Sequence, residues 1–457
     1  MKNNQRLYLS CALFVFTALT LSAQQTYKPA APRTLLRAGK VIDVHTGKET
    51  PGETVVVEGE TITAIATTAS TPAKPGDREI DLTGYTLLPG LIDVHTHLTM
   101  ATNFDPYFEL SMTPGKEAIL GVENAKTTLE AGFTSVRNVG ANGFTDVALR
   151  DEINAGHIPG PHMLVSGPAL GITGGHMDEN LLPKQYNVVG EGVADGIAGV
   201  QHMVRENIKY GADLIKIGAS GGVLSKGDDP QASQYTQEEM QAIVADAHRL
   251  GRKVAAHAHG AQAILWASEA GVDSIEHGSY LDEAGIAMMK KHGTYFVPTA
   301  YLIDWVQQYG NLPPFYAQKM KDVSAVEKQN AIRAIKAGVK VACGTDAAVY
   351  PHGLNAHELD VYVNQFGMTP LAALQTATLN AADLMGWTAK TGSLEAGKWA
   401  DVIAVQGDPL GDIKLLQHVP FVMKGGVIYK DEAQPAAVDH LVATAPSTER
   451  PIAENSY

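Results

Sequence analysis

Two histidines one residue apart, His95 and His97 in "GLIDVHTHL", can chelate a single cation. Alternate residues of a β-strand project to the same side, so both imidazoles reach one point if this stretch is a strand. A lone pair of this kind is common on surfaces and in cores, so its weight depends on its company. That company is present. His257 lies in "KVAAHAH", His277 ends "DSIEH", Asp346 lies in "GTDA" and Lys216 in "DLIKIGA", each in or just after an apolar, β-branched run. Imidazoles and a carboxylate brought together from the ends of several strands make a site for zinc or a similar divalent ion. "HAHG" offers either His257 or His259, because the two share a strand face.

Lys216 is the unusual member. An ammonium among apolar strand neighbours is costly to bury. Burial lowers its pKa and frees the amine as a nucleophile. The amine can then add carbon dioxide, and the carbamate formed is an anion with two oxygens, suited to bridging two cations. Taken alone, Lys216 reads better as a snorkelling lysine paired with a nearby acid such as Asp213.

These residues need elements that converge. The middle of the chain alternates short apolar runs ("GLIDVHTHL", "TSVRNV", "HMLVSGP", "DLIKIGAS", "KVAAHAH", "DSIEHG", "YFVPTAY", "VACGTDA") with segments of helical period such as "TQEEMQAIVADAHRLG" and "EKQNAIRAIKAGV". Gly132, Gly211, Gly251, Gly271, Gly293 and Gly338 sit where those helices should close. Eight strand–helix units predict an α/β fold, a (β/α)₈ TIM barrel over residues 88–387. An open doubly wound sheet is the other arrangement. The polar residues at the strand ends favour the barrel, whose active sites gather there. Alternating β texture with turns recurs over residues 34–87 and 388–436, which predicts a small β-sandwich domain built from both chain ends. Long polar loops are expected after the third, fourth, seventh and eighth barrel strands, "GITGGHMDENLLPKQYN" being the longest.

Composition narrows the class. The net charge of -14 disfavours nucleic acid and anionic membrane as partners. Lys2 and Arg6 precede an apolar run, Leu7 to Leu21, and "LSAQQ" follows it, which predicts a signal peptide over residues 1–23 cleaved after Ala23. That run is shorter than the roughly 20 residues of a spanning helix. The mature protein is therefore expected to be secreted or periplasmic, with no membrane association. Cys11 leaves with the signal and Cys343 remains alone, so no internal disulfide forms. Residues 24–33 read as a Pro-rich linker.

The order H-x-H, Lys, His, His, Asp on a barrel flanked by a split β unit resembles the amidohydrolase superfamily, from about Leu35 to Lys430. "GLIDVHTH" and "GSLEAGKWADVIAV" are similar to its typical motifs. "GFTSVRNVG", "GGHMDEN", "IKIGASGGV", "HAHG", "IEHG" and "GTDA" followed by "HGLNAHEL" resemble the branch of metal-dependent Xaa-Pro dipeptidases and ochratoxin-hydrolysing amidases, which is close in sequence to imidazolonepropionases. The resemblance implies a binuclear zinc hydrolase acting on amide bonds of dipeptides or N-acyl amino acids through a metal-bridging hydroxide. In it, His95 and His97 bind the more buried zinc with Asp346. Carbamylated Lys216 bridges two zinc ions, and His257 and His277 hold the second. His257 is preferred to His259 because the family's ligand is the first of such a pair, which leaves His259 facing substrate. Asp346 shuttles the proton from the attacking hydroxide to the leaving nitrogen. His176, in a long loop flanked by Gly174 and Gly175, is placed as an oxyanion donor, with a solvated loop histidine as the plain alternative.

Arg137, ending the second barrel strand, is a candidate for a substrate carboxylate or equally a structural ion pair. The family often reads Arg-Asp there, whereas this chain has Asn138. His352 and Asn355 are candidates to line the pocket or merely to cap a helix, and His357 and Glu358 to begin that helix. Tyr301, Trp305 and Phe315 are candidates for an apolar wall or, equally, for packing within the loops. The competing enzyme reading is a single-metal imidazolonepropionase- or deaminase-like hydrolase, which needs no bridging carbamate. A non-enzymatic binding barrel would be expected to lose ligands, and all six are present. Both a monomer and a homo-oligomer are compatible with the sequence.

"KVIDVHTGK" repeats the words of "GLIDVHTHL" but has Gly47 where the later stretch has His97. The earlier copy is read as strand and turn of the small β unit, with His45 outside the metal site.

Overall fold

The computed structural model describes residues 33–435 and 438–439. The expected signal peptide, and the linker before Arg33, lie outside the described residues. The chain enters through β1 (Arg33–Asp43), β2 (Lys48–Pro51), β3 (Glu53–Glu58), β4 (Thr61–Thr67) and β5 (Arg78–Pro89). Seven short strands follow in the middle of the chain: β6 (Leu91–Thr96), β7 (Phe133–Asn138), β8 (His162–Val165), β9 (Leu214–Gly218), β10 (Lys253–Ala258), β11 (Ser274–His277) and β12 (Tyr295–Val297). The chain then returns to the first layer with β13 (Val402–Val405), β14 (Phe421–Lys424) and β15 (Val427–Asp431).

Both ends of the chain share one sheet, in the order β15-β14-β13-β5-β1-β3-β4, with β2 added on β1. The join is antiparallel pairing of β13 with β5. Alternating Leu36, Ala38, Val55, Val57, Ile80 and Leu82 pack with Val402, Ala404, Phe421 and Met423 in a core of their own. These strands form one hydrogen-bonded path, and strand pairing alone does not divide them into two facing layers.

The middle of the chain is a TIM-barrel-like α/β fold. β6, β7 and β8 pair in parallel, as do β9, β10, β11 and β12. Every residue of β6, β7 and β9 is buried. Parallel strands are covered on both faces, so even their polar residues, among them Asp93, Ser135 and Lys216, are enclosed. The outer apolar residues, among them Leu91, Ile215, Val254, Ile275 and Phe296, join the helices in the main core. Burying one such side chain contributes about 1.5–3 kcal/mol. The few polar residues on these strands carry the site.

The two arcs are linked by single bridges rather than one closed ladder. Leu170 pairs with Ile217, Phe296 with Val341, and Thr96 with Ala347. The expected eighth strand, "VACGTDA", is thus an extended segment between two bridges and not a ladder strand. Its physical cause lies in Gly344 and Asp346. A Cβ at Gly344 would lie 2.7 Å from His95 Cβ and 2.4 Å from Val297 Cγ1, so the segment threads closely between β6 and β12. Asp346 then turns into the left-handed region, φ 60°, and leaves the extended path.

The helix Gln237–Arg249 begins with a capping box, in which Thr236 accepts from Glu239 N and Glu239 accepts from Thr236 N. All six glycines expected to close helices have positive φ, Gly271 and Gly293 directly as C-caps. The long seventh loop contains two helices, Tyr301–Tyr309 and Pro314–Ser324, where the sequence predicts loop. Their Val306, Met320 and Val323 pack with Val223 and with Phe104, so loops from several strand ends share one apolar cover over the barrel mouth. Among the described residues no helix is long and apolar enough to cross a membrane.

Candidate metal centre

His95 and His97 leave β6 on one side. Their rings stand 5.3 Å apart, and both Nε2 atoms approach Asp346 Oδ1, at 3.3 and 3.2 Å. Ligand atoms of all three lie within 4.8 Å of one another. His277 places its ring 5.1 Å from His95 and 4.7 Å from His257. Lys216, on β9 beside β10, is 2 % exposed. The residues expected from different strands are therefore brought to one end of the barrel. His277 and Asp346 both adopt left-handed φ, 67° and 60°, which is rare for non-glycine residues and concentrates at functional sites.

Hydrogen bonds decide which nitrogen of each ring is free. His95 Nδ1 is 2.7 Å from Glu276 Oε2, so it carries the proton and donates. His97 Nδ1 faces the Gly140 carbonyl at 3.3 Å, and His257 Nε2 faces the Gly221 carbonyl at 3.2 Å. His277 Nδ1 meets Thr299 Oγ1 at 2.8 Å, and that hydroxyl donates to the Pro298 carbonyl. A carbonyl or carboxylate accepts only, so each bonded nitrogen holds the hydrogen and the other nitrogen keeps a lone pair. His95 Nε2 is buried without a hydrogen bond, its lone pair turned toward the Asp346 carboxylate. Two acceptors facing each other in a dry site call for a cation between them. The donor set fits divalent metal, with His95, His97 and Asp346 able to hold one ion and His257, by Nδ1, with His277, by Nε2, able to hold another.

Charge follows the same logic. Burial pushes the Lys216 amine down to about 8, although Glu276 and Asp346 pull it back up. Its Nζ bonds Val139 O at 3.4 Å. Asp213, the alternative partner, instead binds Arg150 at 2.6 Å. Burial also drives the His257 and His277 imidazoles well below their ordinary range, which keeps them neutral and ligand-ready. Burial would raise the Asp346 carboxyl, but His95 and His97 more than offset this and hold it well below.

Arg137 requires a correction. It is 2 % exposed and its guanidinium is used internally, on Glu276 Oε1 at 2.8 Å, Ser274 Oγ at 3.0 Å and the Val94 carbonyl at 2.5 Å. It cannot reach a substrate carboxylate, and of its two readings the structural ion pair is the one observed. Asn138 turns inward too, accepting from Leu98 N at 2.7 Å. Asn355 is buried and donates to Asp93 Oδ2 at 2.7 Å, so it does not line the pocket. Asp93 also accepts from Thr345 Oγ1 at 2.6 Å and ties the Asp346 segment to β6. His352 is half-buried beside Thr128, with Nδ1 and Oγ1 3.4 Å apart. His259 stacks on His277 at 5.0 Å and bonds Ser279 Oγ at 2.8 Å. His176 lies against His257 with ring centroids 4.3 Å apart, so the long third loop does reach the centre.

Glu276 was missed by sequence reasoning. It precedes His277, whose side chain turns to the other ligands, and its carboxylate joins His95 to Arg137. The only available signal was an acid inside a buried strand, which has to be paired. We expect Glu276→Gln to weaken metal binding roughly 10–100-fold, as loss of such a supporting carboxylate does. If the amide NH₂ faces His95 Nδ1, that nitrogen must give up its hydrogen, and the proton moves to Nε2 where the metal belongs. Competition with a chromophoric chelator measures this, and unchanged affinity contradicts the assignment.

His45, in the repeat, is exposed with Nε2 3.0 Å from Glu395 Oε1, and such surface contacts contribute little. His45→Ala is expected to retain metal and activity, whereas His97→Gly loses both. Equal behaviour of the two variants in metal analysis would reject the distinction.

Of the candidate wall, Trp305 lines an open cavity of about 730 Å³ with Phe104, Tyr309, Leu312 and Pro314. Tyr301 instead stacks on His357, where the helix His357–Asn364 begins, and Phe315 packs on Tyr316.

A TIM-barrel-like fold with His, Lys and Asp gathered at the strand ends has the place and the donor set of a hydrolase site able to hold divalent metal. The family model for the amidohydrolase family matches residues 86–430. Ochratoxinase of Aspergillus niger is 38% identical over 370 residues, covering 75% of this chain and 75% of that protein. A crystal structure of a Xaa-Pro dipeptidase with bound methionine in the active site superposes with TM-score 0.83 at 37% identity, covering 87% of this chain and 100% of the other. A prolidase complexed with N-methylphosphonate-L-proline gives TM-score 0.79 at 32% identity, covering 87% and 100%. The chain belongs to the amidohydrolase family. It is a hydrolase acting on amide C–N bonds, of a family that generally uses divalent metals.

Proposed function

We propose that the protein is a secreted, binuclear zinc amidohydrolase that cleaves dipeptides or N-acyl amino acids, with Lys216 carbamylated between the two ions. The observation that carries this is the set of four imidazoles, His95, His97, His257 and His277, each with one nitrogen anchored to a protein acceptor and the other left free around Lys216 and Asp346. The Xaa-Pro dipeptidase and ochratoxinase relatives support the substrate class: both names describe proteins whose substrates carry an amide. Both chain ends then form the β-sandwich layer beside the barrel, and cleavage after Ala23 releases the mature enzyme.

When bound, the two divalent ions supply a water-derived nucleophile at neutral pH and polarise the amide carbonyl. The chain's own residues do the rest. Asp346 Oδ1 faces His95 and His97, which leaves Oδ2 to take the proton of the attacking water. The same carboxyl then delivers that proton to the leaving nitrogen, which departs as an amine while the acyl part leaves as a carboxylate. A crowded or tertiary amide, as before proline, most needs this protonation. Glu276 holds His95 in the required tautomer, and Arg137 balances the buried charge of Glu276. The apolar cover around Trp305 and Phe104 offers contact to the substrate's side chains.

The single-metal imidazolonepropionase- or deaminase-like reading is weaker, because it leaves buried Lys216 without a task. A panel of proline-, phenylalanine- and lysine-terminated dipeptides and N-acyl amino acids, with ochratoxin A, tests the proposal. Cleavage of at least one acyl amino acid supports it. Turnover confined to cyclic amides or amidines overturns it.

A further inference from the structure

The loop that carries His176 meets a second set of polar residues that the reaction has not used. His176 Nδ1 lies 2.8 Å from Ser225 Oγ. Ser225 Oγ lies 2.7 and 2.8 Å from the two oxygens of Asp228. Asp228 Oδ1 accepts from Lys319 Nζ at 2.7 Å, and its Oδ2 accepts from Gly222 N at 2.8 Å. Lys319, on the helix Pro314–Ser324, also donates to the carbonyls of Gly222 and Ser225, at 2.9 and 2.8 Å, so all three ammonium hydrogens are used. Gln234 Oε1 fixes the His176 backbone N–H at 3.1 Å. The ring lies flat on Gly222, where an added Cβ would fall 2.2 Å from Nδ1.

A serine hydroxyl has one hydrogen. Here three acceptors compete for it, an imidazole nitrogen, the Gly222 carbonyl at 3.4 Å and a carboxylate. The carboxylate is charged, held below its ordinary range by the Lys319 ammonium despite burial, and charge-assisted bonds are roughly twice as strong as neutral ones. Ser225 therefore donates to Asp228 and its lone pairs face His176. Nδ1 must then donate to Ser225 Oγ, and a second proton on Nε2 would be a buried donor with no acceptor, so the ring holds one proton. That leaves Nε2, for which no protein partner is found among the described residues, as an acceptor.

We infer that Ser225, Asp228 and Lys319 form a positioning relay that locks His176 with its proton on Nδ1 and a lone pair on Nε2. His176 thus meets the substrate as a hydrogen-bond acceptor, for an N–H or ammonium of the acyl part, and not as the oxyanion donor expected from sequence. The relay also ties the third-strand loop to the fourth-strand loop and to a helix of the apolar cover. This rests on the proposed amide substrate only for the partner of Nε2. The tautomer itself can be read without turnover.

The test uses the full chain, metal-free, with ¹⁵N-labelled histidine, and His176→Gln to identify the His176 signals. Wild type is expected to show a protonated Nδ1 and an unprotonated Nε2. Asp228→Asn is expected to shift the tautomer, because an amide can donate to Ser225 and turn the serine hydrogen toward Nδ1. Ser225→Ala should mix the two tautomers, and Ser225→Thr should restore the wild-type pattern. In the metal-loaded enzyme, Ser225→Ala and Asp228→Asn should each lower kcat/KM about tenfold on a substrate with a free α-ammonium, with Ser225→Thr near wild type. That follows from losing about 1.4 kcal/mol of interaction. On an acyl substrate without that ammonium the loss should be less than twofold. A wild-type Nε2 that is protonated, or a tautomer unmoved in both variants, overturns the relay whether or not the enzyme is a dipeptidase.

Discussion

Replacing Asp346 with Asn is expected to lower kcat by about 10²–10⁴-fold, the range associated with a positioned proton carrier. The substitution keeps size and one oxygen but removes the ability to hold a proton. Asp346 is suited to that task because its environment keeps it ionised. Burial works against the charge, and the His95 and His97 rings at 3.3 and 3.2 Å reverse the balance. An amide there also has a choice of orientation. With its NH₂ toward the lone pairs of His95 and His97 it satisfies them without any cation, so metal affinity should fall together with kcat. Metal analysis and single-turnover rates on the reloaded variant separate the two losses. A variant within tenfold of wild type when fully loaded would remove Asp346 from the proton path.

Lys216→Ala is expected to have the second large effect. Lys216 stands on a fully buried strand with its amine pushed down to about 8, so a substantial unprotonated fraction exists at neutral pH and grows as pH rises through that value. An unprotonated amine is what carbon dioxide adds to, and the lysine is the residue that can supply a two-oxygen anion between the two groups of histidines. Without it, the His257 and His277 pair retains only neutral donors, and two cations would face each other without an intervening anion. Loss of one ion costs several kcal/mol of carbonyl polarisation, on the order of 10³-fold or more in rate. We expect about one metal per chain in Lys216→Ala and activity lowered by at least that factor. Wild-type apoprotein should regain activity faster when bicarbonate accompanies zinc. A Lys216→Ala protein that remains active with one metal would favour the single-metal reading.

Much of the centre was legible in the sequence because strands expose their pattern. His95 and His97 obey the two-residue period, and His257, His277, Lys216 and Asp346 each interrupt or close an apolar run. Burial in a parallel sheet makes such interruptions conspicuous, since any polar group there needs a purpose. What lay hidden depends on partners far apart in the chain. Glu276 reads as one more acid until β11 sets it beside His95, and Arg137 reads equally as a substrate clamp or an ion pair until Glu276, Ser274 and Val94 absorb its donors. The eighth strand was over-read. "VACGTDA" has the composition of a strand, but the close approach at Gly344 and the left-handed turn at Asp346 are properties of its neighbours. The helices Tyr301–Tyr309 and Pro314–Ser324 were missed because Gly310, Pro313 and Pro314 break the run between them into what looks like loop. The role of His176 was likewise open to revision, since a tautomer is set by the partner of the other nitrogen, here a serine 49 residues away.

The most direct test is the metal content of fully active protein, measured by inductively coupled plasma spectrometry and titrated against activity during reconstitution. Two divalent ions per chain, with activity rising only as the second site fills, is the predicted result. Full activity at one ion per chain would contradict the binuclear centre.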